Sequence, residues 1–135
     1  MRSNNTIIIG AGRLGGTIAR SLNNLANVVI IDKNKDKFNR LQDYSGFVES
    51  GDATDLEFLE KNGIATADRV IAVTDDDNVN IFIADVCCSL YNVKDIYIKL
   101  KGSRKRSLVE ERVNCICPFD LSLDSFEKQR EGESK

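Results

Sequence analysis

The chain has 135 residues, 41% of them hydrophobic, and a net charge of -2 from 19 Lys and Arg against 21 Asp and Glu. That length suits one domain burying about 70% of its unfolded surface, and the near-neutral charge gives no basic field to draw nucleic acid. With no histidine, the commonest general base and every Ser-His or Cys-His nucleophile pair are excluded.

Taken in chain order, apolar β-branched runs predict six strands: "TIIIG" (6–10), "NVVIID" (27–32), "GFVES" (46–50), "RVIAVT" (69–74), "DIYIKL" (95–100) and "NCICP" (114–118). Between them, helical spacing predicts helices over 13–24, 34–43, 54–62, 77–91 and 103–112. Thr54 and Glu57 read as a capping box, and Gly63 as a helix stop. Near-continuous apolar strands alternating with helices specify a parallel sheet covered on both faces. The expected fold is therefore α/β, a doubly wound Rossmann-like six-stranded sheet in the order 3-2-1-4-5-6. It occupies residues 1–118, and a C-terminal helix with a charged tail occupies 119–135. Phe119, Leu123 and Phe126 form one stripe of that helix, to pack either on this domain or on another subunit.

No run approaches the about 18 apolar residues of a membrane span, and "MRSNNT" lacks a signal peptide's apolar segment. A cytoplasmic protein without direct membrane insertion is expected. Cys87, Cys88, Cys115 and Cys117 match no zinc-ligand spacing, so they are expected to be reduced core thiols, with no metal site.

The chemistry concentrates where the first strand meets its helix. Gly10, Gly12 and Gly15 give G-x-G-x-x-G after a strand and at a helix start, and Asp32 closes the next strand twenty residues after Gly12. This is the spacing of a dinucleotide fingerprint. Gly10 makes the tight turn, Gly12 lets a pyrophosphate reach the backbone, and Gly15 lets helix and strand pack closely. Asp32 would accept hydrogen bonds from ribose hydroxyls and repel a 2'-phosphate. NAD(H), ATP or ADP is therefore favoured over NADP, with Lys33 softening that bias. Asp52 follows the third strand, where it either bonds an adenine or caps its helix. Thr74 and Asp75 sit at the carboxyl end of the fourth strand. The acids there either cap the next helix or meet a ribose, a metal ion or a neighbouring subunit.

The basic cluster Lys99, Lys101, Arg104, Lys105 and Arg106 reads as a solvated loop or as an attractor of nucleotide phosphates or an acidic partner, with nucleic-acid binding a third, weaker reading that a steep salt dependence would mark. An NAD-dependent oxidoreductase cofactor-binding domain is the alternative function. Tyr97 and Lys101, four apart, are similar to the catalytic pair of short-chain dehydrogenases, but they span a strand and its exit and cannot share a helix face.

"IIIGAGRLGGTIARSL", "VVIIDKNKDK", "GDATD" and "VIAVTDDDNVNIFIA", in that order, resemble the TrkA N-terminal family over about residues 5–90. These are the RCK nucleotide-binding domains that regulate potassium channels and transporters. Arg13 inside the glycine loop and Asn80 after the aspartates add to the likeness. The resemblance implies a domain that binds NAD(H) or ATP/ADP as a regulatory ligand, and the lack of histidine and of another acid-base pair makes a non-catalytic role the expectation. It also implies a homodimer or larger ring serving a membrane potassium transporter or channel subunit at the inner face of the membrane. By position, Gly10, Gly12, Arg13, Leu14 and Gly15 would hold phosphates; Asp32 and Lys33 the adenosine ribose; Asp52 and Ala53 the adenine; Thr74 and Asp75 the ligand's far end. Lys99 stands where the family commonly has arginine, and these 135 residues are expected to be either a one-domain member or a fragment of a longer regulator that carries the family's usual smaller second domain.

Overall fold

A computed structural model of the chain describes residues 4–133. Its six strands are β1 (Asn5–Ile9), β2 (Asn27–Asp32), β3 (Phe47–Ser50), β4 (Arg69–Ala72), β5 (Asp95–Lys99) and β6 (Asn114–Ile116). All neighbours pair in parallel, in the expected order β3-β2-β1-β4-β5-β6. The helices are α1 (Arg13–Ser21), α2 (Leu56–Lys61), α3 (Asp77–Ser89) and α4 (Pro118–Glu133).

β1 lies at the centre, and its alternation builds two cores. Ile7 and Ile9, with Val70, Ala72, Ile96 and Ile98, face Leu59 of α2 and Ile83 of α3. Ile8, with Ile30, Ile71 and Val73, faces Ala19 of α1. Strands apolar on both faces are what a doubly covered parallel sheet requires.

Two expected helices are instead short 3-10 segments, Lys35–Arg40 and Ser103–Leu108. In the first, the apolar anchors Phe38 and Leu41 stand three apart and both pack on the α1-side core, which matches a three-residue period. In the second, the Arg106 guanidinium donates to the carbonyls of Val109, Glu110, Glu111 and Val113 at 2.8–3.4 Å. The chain therefore wraps around one side chain rather than continuing as a helix.

The capping box at Thr54 and Glu57 does not form. Asp55 is the N-cap, accepting the Glu57 amide at 3.0 Å, while the Thr54 hydroxyl donates to Asp52 at 2.7 Å. A carboxylate is an acceptor at least as good as a hydroxyl, and it stands one residue nearer the helix. Gly63 does end α2's turn, in the left-handed region at φ 88°. All four cysteines are free, but only Cys87 is fully buried.

α4 departs from the sheet edge at Pro118. Its Phe119, Leu121, Leu123 and Phe126 are 49–65% exposed, and none joins either core among the described residues. Packing of the Phe119, Leu123 and Phe126 stripe on this domain is thus overturned. No helix among the described residues is long and apolar enough to cross a membrane.

Candidate functional site

β1 delivers the chain to Gly10, which takes φ +110° and donates its amide to the Ile31 carbonyl at 2.8 Å. A side chain there would be strained and would meet the Val73 carbonyl group at 2.9 Å. A Cβ on Gly15 would overlap the Gly10 carbonyl oxygen, whereas one on Gly12 would meet nothing within 4 Å. The three glycines thus serve three different ends: a turn, an open floor and a close packing. Gly12 caps α1 without a side-chain hydrogen bond, leaving the helix entrance to another acceptor.

Asp32, 8% exposed, is built into this loop. Its Oδ2 accepts the Ala11 amide at 2.8 Å and lies 3.9 Å from Lys37 Nζ, while Oδ1 accepts the Asn34 amide at 2.8 Å. Two backbone bonds occupy about half the lone-pair positions of a carboxylate. The remainder are available to a pair of hydroxyls.

The carboxyl ends of β1–β4 open into a cleft of about 800 Å³, within the range of small-molecule sites. Gly10, Gly12, Arg13, Leu14, Asp32, Lys33, Asp52, Ala53, Thr74 and Asp75 all line it. Gly15 does not; it stands behind the loop against Gly10. Asp52 Oδ1 accepts the Thr54 amide and hydroxyl at 2.9 and 2.7 Å, and those bonds hold its carboxyl below the usual range.

Across the cleft, the acids after β4 divide their tasks. Asp76 caps α3, accepting the amides of Asn78 at 2.8 Å and Val79 at 3.4 Å. Asp77 accepts the Lys101 amide at 3.1 Å. Asp75 pairs with Lys99 Nζ at 3.2 Å, and the lysine, by hydrogen bond and charge, lowers the carboxyl's pKa. Asn80, fully buried, ties the end of β4 to the end of β5: Oδ1 accepts from the Thr74 amide and hydroxyl at 3.0 and 2.8 Å, and Nδ2 donates to the carbonyls of Thr74 and Lys99 at 3.1 and 2.9 Å.

The sequence reading left out Lys37, Thr17 and Pro118, which also line the cleft. Thr17 had a signal, four residues beyond Arg13 on the same helix face. Lys37 and Pro118 had none, since a 3-10 turn and the start of α4 bring them in. Of the basic cluster, Lys99 lines the cleft while Arg106 is consumed by backbone carbonyls. Tyr97 lies on β5 and Lys101 beyond its end.

The chain is 35% identical over 98 residues to the Trk system potassium uptake protein TrkA of Vibrio alginolyticus, covering 71% of this chain and 21% of that protein. To the TrkA homolog of Pyrococcus horikoshii it is 40% identical over 118 residues, covering 85% of this chain and 51% of that one. It thus spans about half or less of the length of these curated relatives. The crystal structure of the GsuK RCK domain superposes with a TM-score of 0.69 at 27% identity, covering 84% of this chain and 26% of that one. The family model of the TrkA-N domain matches residues 6–115, from β1 into β6, and the chain belongs to that family.

Proposed function

We propose that this chain is a non-catalytic regulatory domain that binds NAD(H) or ATP/ADP and serves a membrane potassium transporter or channel subunit at the cytoplasmic face. The observation that carries the reading is the junction of Gly12 and Asp32. An open backbone floor at a helix entrance lies beside a buried carboxylate with lone pairs to spare. A diphosphate suits the first and a ribose diol the second. Gly10, Gly12, Arg13 and Leu14 would hold phosphates, with Gly15 keeping the loop in place. Asp32 and Lys33 would meet the ribose, Asp52 and Ala53 the adenine, and Thr74 and Asp75 the ligand's far end. The names of the relatives, all Trk potassium uptake proteins, support the membrane partner.

Residues 1–118 would form the nucleotide-binding unit, and α4 with its tail would reach a second copy in a homodimer or larger ring. Pro118 lines the cleft and begins α4, so ligand at the far end touches the helix that presents the apolar stripe. Regulation would follow from differential affinity alone: moving a two-state equilibrium from 1:99 to 99:1 takes about a 10⁴-fold preference for one state. A chain without histidine is poorly supplied for acid-base work, and this favours sensing over turnover.

Calorimetric and thermal-shift titrations with NADH, NAD, ATP, ADP and AMP test the reading. Saturable binding of at least one of them, without turnover of small alcohols or aldehydes, is the expected result. Turnover with NAD, or no binding of any of the five, overturns it.

A further inference from the structure

Beside the glycine loop, a second concavity of about 380 Å³ opens between α1 and the 3-10 segment after β2, sharing Gly12, Arg13 and Thr17 with the cleft. Arg13, Thr17 and Arg20 reach it from one face of α1 at helical spacing. Arg40 reaches it from the opposite wall, and Gly12 and Gly16 lie along its base. A Cβ on Gly16 would come within 3.1 Å of the Leu41 side chain and 3.7 Å of Arg20 Nη1, so the missing side chain keeps the space open. The Thr17 hydroxyl donates to the Arg13 carbonyl at 2.8 Å and accepts from Arg20 Nη2 at 3.3 Å, which holds that guanidinium against the helix.

Among the described residues, no carboxylate lies within ion-pair distance of Arg13, Arg20 or Arg40. Three positive forks therefore converge on one hollow in a chain whose net charge is -2. Planar guanidiniums match phosphate oxygens in pairs. The volume suits a compact anion of a few phosphate groups rather than an extended acidic peptide.

We infer that this hollow is a second anion site, adjoining the nucleotide cleft, that takes a compact di- or polyphosphate on Arg20 and Arg40, with Gly12, Arg13 and Thr17 lining both sites. The guanidiniums are exposed, so binding weakens as salt screens it.

The test is calorimetric titration of the full chain with inorganic pyrophosphate at low ionic strength, alone and with saturating NADH or ATP. Three proteins are compared: the parent, Arg20→Ala/Arg40→Ala, and a charge-matched control, Lys94→Ala/Lys128→Ala. Saturable binding that persists beside bound nucleotide, and that weakens at least tenfold only in the arginine variant, is expected. Nucleotide affinity should change less than twofold in that variant, whose thermal midpoint verifies folding. Absence of pyrophosphate binding, its displacement by nucleotide, or equal weakening in the lysine control would overturn the inference. If no nucleotide binds at all, the pyrophosphate titration alone still decides this site, independently of the cleft.

Discussion

Asn80 closes a ring of hydrogen bonds on Thr74, using its carbonyl for that residue's amide and hydroxyl and its amide for that residue's carbonyl. The fourth bond, to the Lys99 carbonyl at 2.9 Å, makes one buried side chain the tie between the ends of β4 and β5. Leucine has similar size but no polar atoms, so Asn80→Leu orphans the Thr74 amide and two carbonyls. A destabilisation of about 2–4 kcal/mol is expected, read as a lower urea midpoint at unchanged slope. A midpoint equal to the parent's would show that water replaces these bonds.

Gly12 and Gly15 belong to one motif but should fail in opposite ways. Gly15→Ala drives a methyl into the Gly10 carbonyl oxygen, and a loss of about 3 kcal/mol or more, or failure to fold, is expected. Gly12→Ala meets no atom within 4 Å, at φ -75° where any residue is comfortable, so its stability should stay within about 0.5 kcal/mol of the parent. Its methyl projects where a phosphate would approach the backbone, and NADH or ATP affinity should fall about tenfold or more. Parent-like affinity in a folded Gly12→Ala protein would place the phosphates elsewhere.

Asp32→Ala removes the acceptor for the Ala11 and Asn34 amides as well as the partner proposed for the ribose. A loss of about 1.5–3 kcal/mol in nucleotide binding is expected, a rise in Kd of about 10- to 150-fold. Calorimetry on the folded variant measures it. An unchanged Kd would assign the ribose to another acceptor.

The sheet order was legible because hydrophobic period and glycine placement are local properties that a doubly wound sheet reads directly. "TIIIG" and "NVVIID" needed no tertiary help to become β1 and β2. Segments 34–43 and 103–112 were less legible because tertiary contacts decide them: Phe38 and Leu41 dock on a core, and Arg106 gathers carbonyls from residues the chain has not yet reached. The loop glycines and Asp32 announce themselves by spacing. Lys37 and Pro118 enter the cleft only through the path of the folded chain, which no spacing encodes. Capping by Asp55 rather than Thr54 turned on which of two adjacent acceptors the backbone presents.

Alkali should unfold the protein earlier than its acid groups would suggest. Burial pushes the Cys87 thiol from its ordinary 9.0 up to about 12, and burial likewise raises the Tyr44 hydroxyl from 10.0 to about 12. For both, the folded pKa lies above the unfolded one, so the unfolded chain releases its proton first. Their stabilisation is complete below about pH 9 and declines as pH rises from there toward 12. Each group contributes at most about 1.4 kcal/mol per pH unit, less for the half-buried Tyr44. Urea midpoints should be nearly level between pH 8 and 9 and fall in sequence at pH 10 and 11, and Cys87→Ala should flatten the first part of the decline. A parallel decline in that variant would mean that other groups carry it.

α4 presents four large apolar side chains to solvent, more than a helix needs if nothing covers it. In a symmetric pair each substitution acts twice, and each phenylalanine that becomes buried is worth about 1.5–3 kcal/mol. Phe119→Ser/Phe126→Ser should therefore weaken self-association by several kcal/mol, read by light scattering across a dilution series. The same side chains are exposed in the isolated fold and join neither core, so the variant's dilute thermal midpoint should match the parent's monomer. Association unchanged by the double substitution, or a parent that stays monomeric at about 100 μM, would separate α4 from dimerisation. Because Pro118 borders the cleft, nucleotide should also shift the parent's dimer affinity, and by linkage dimerisation should shift nucleotide affinity by the same factor.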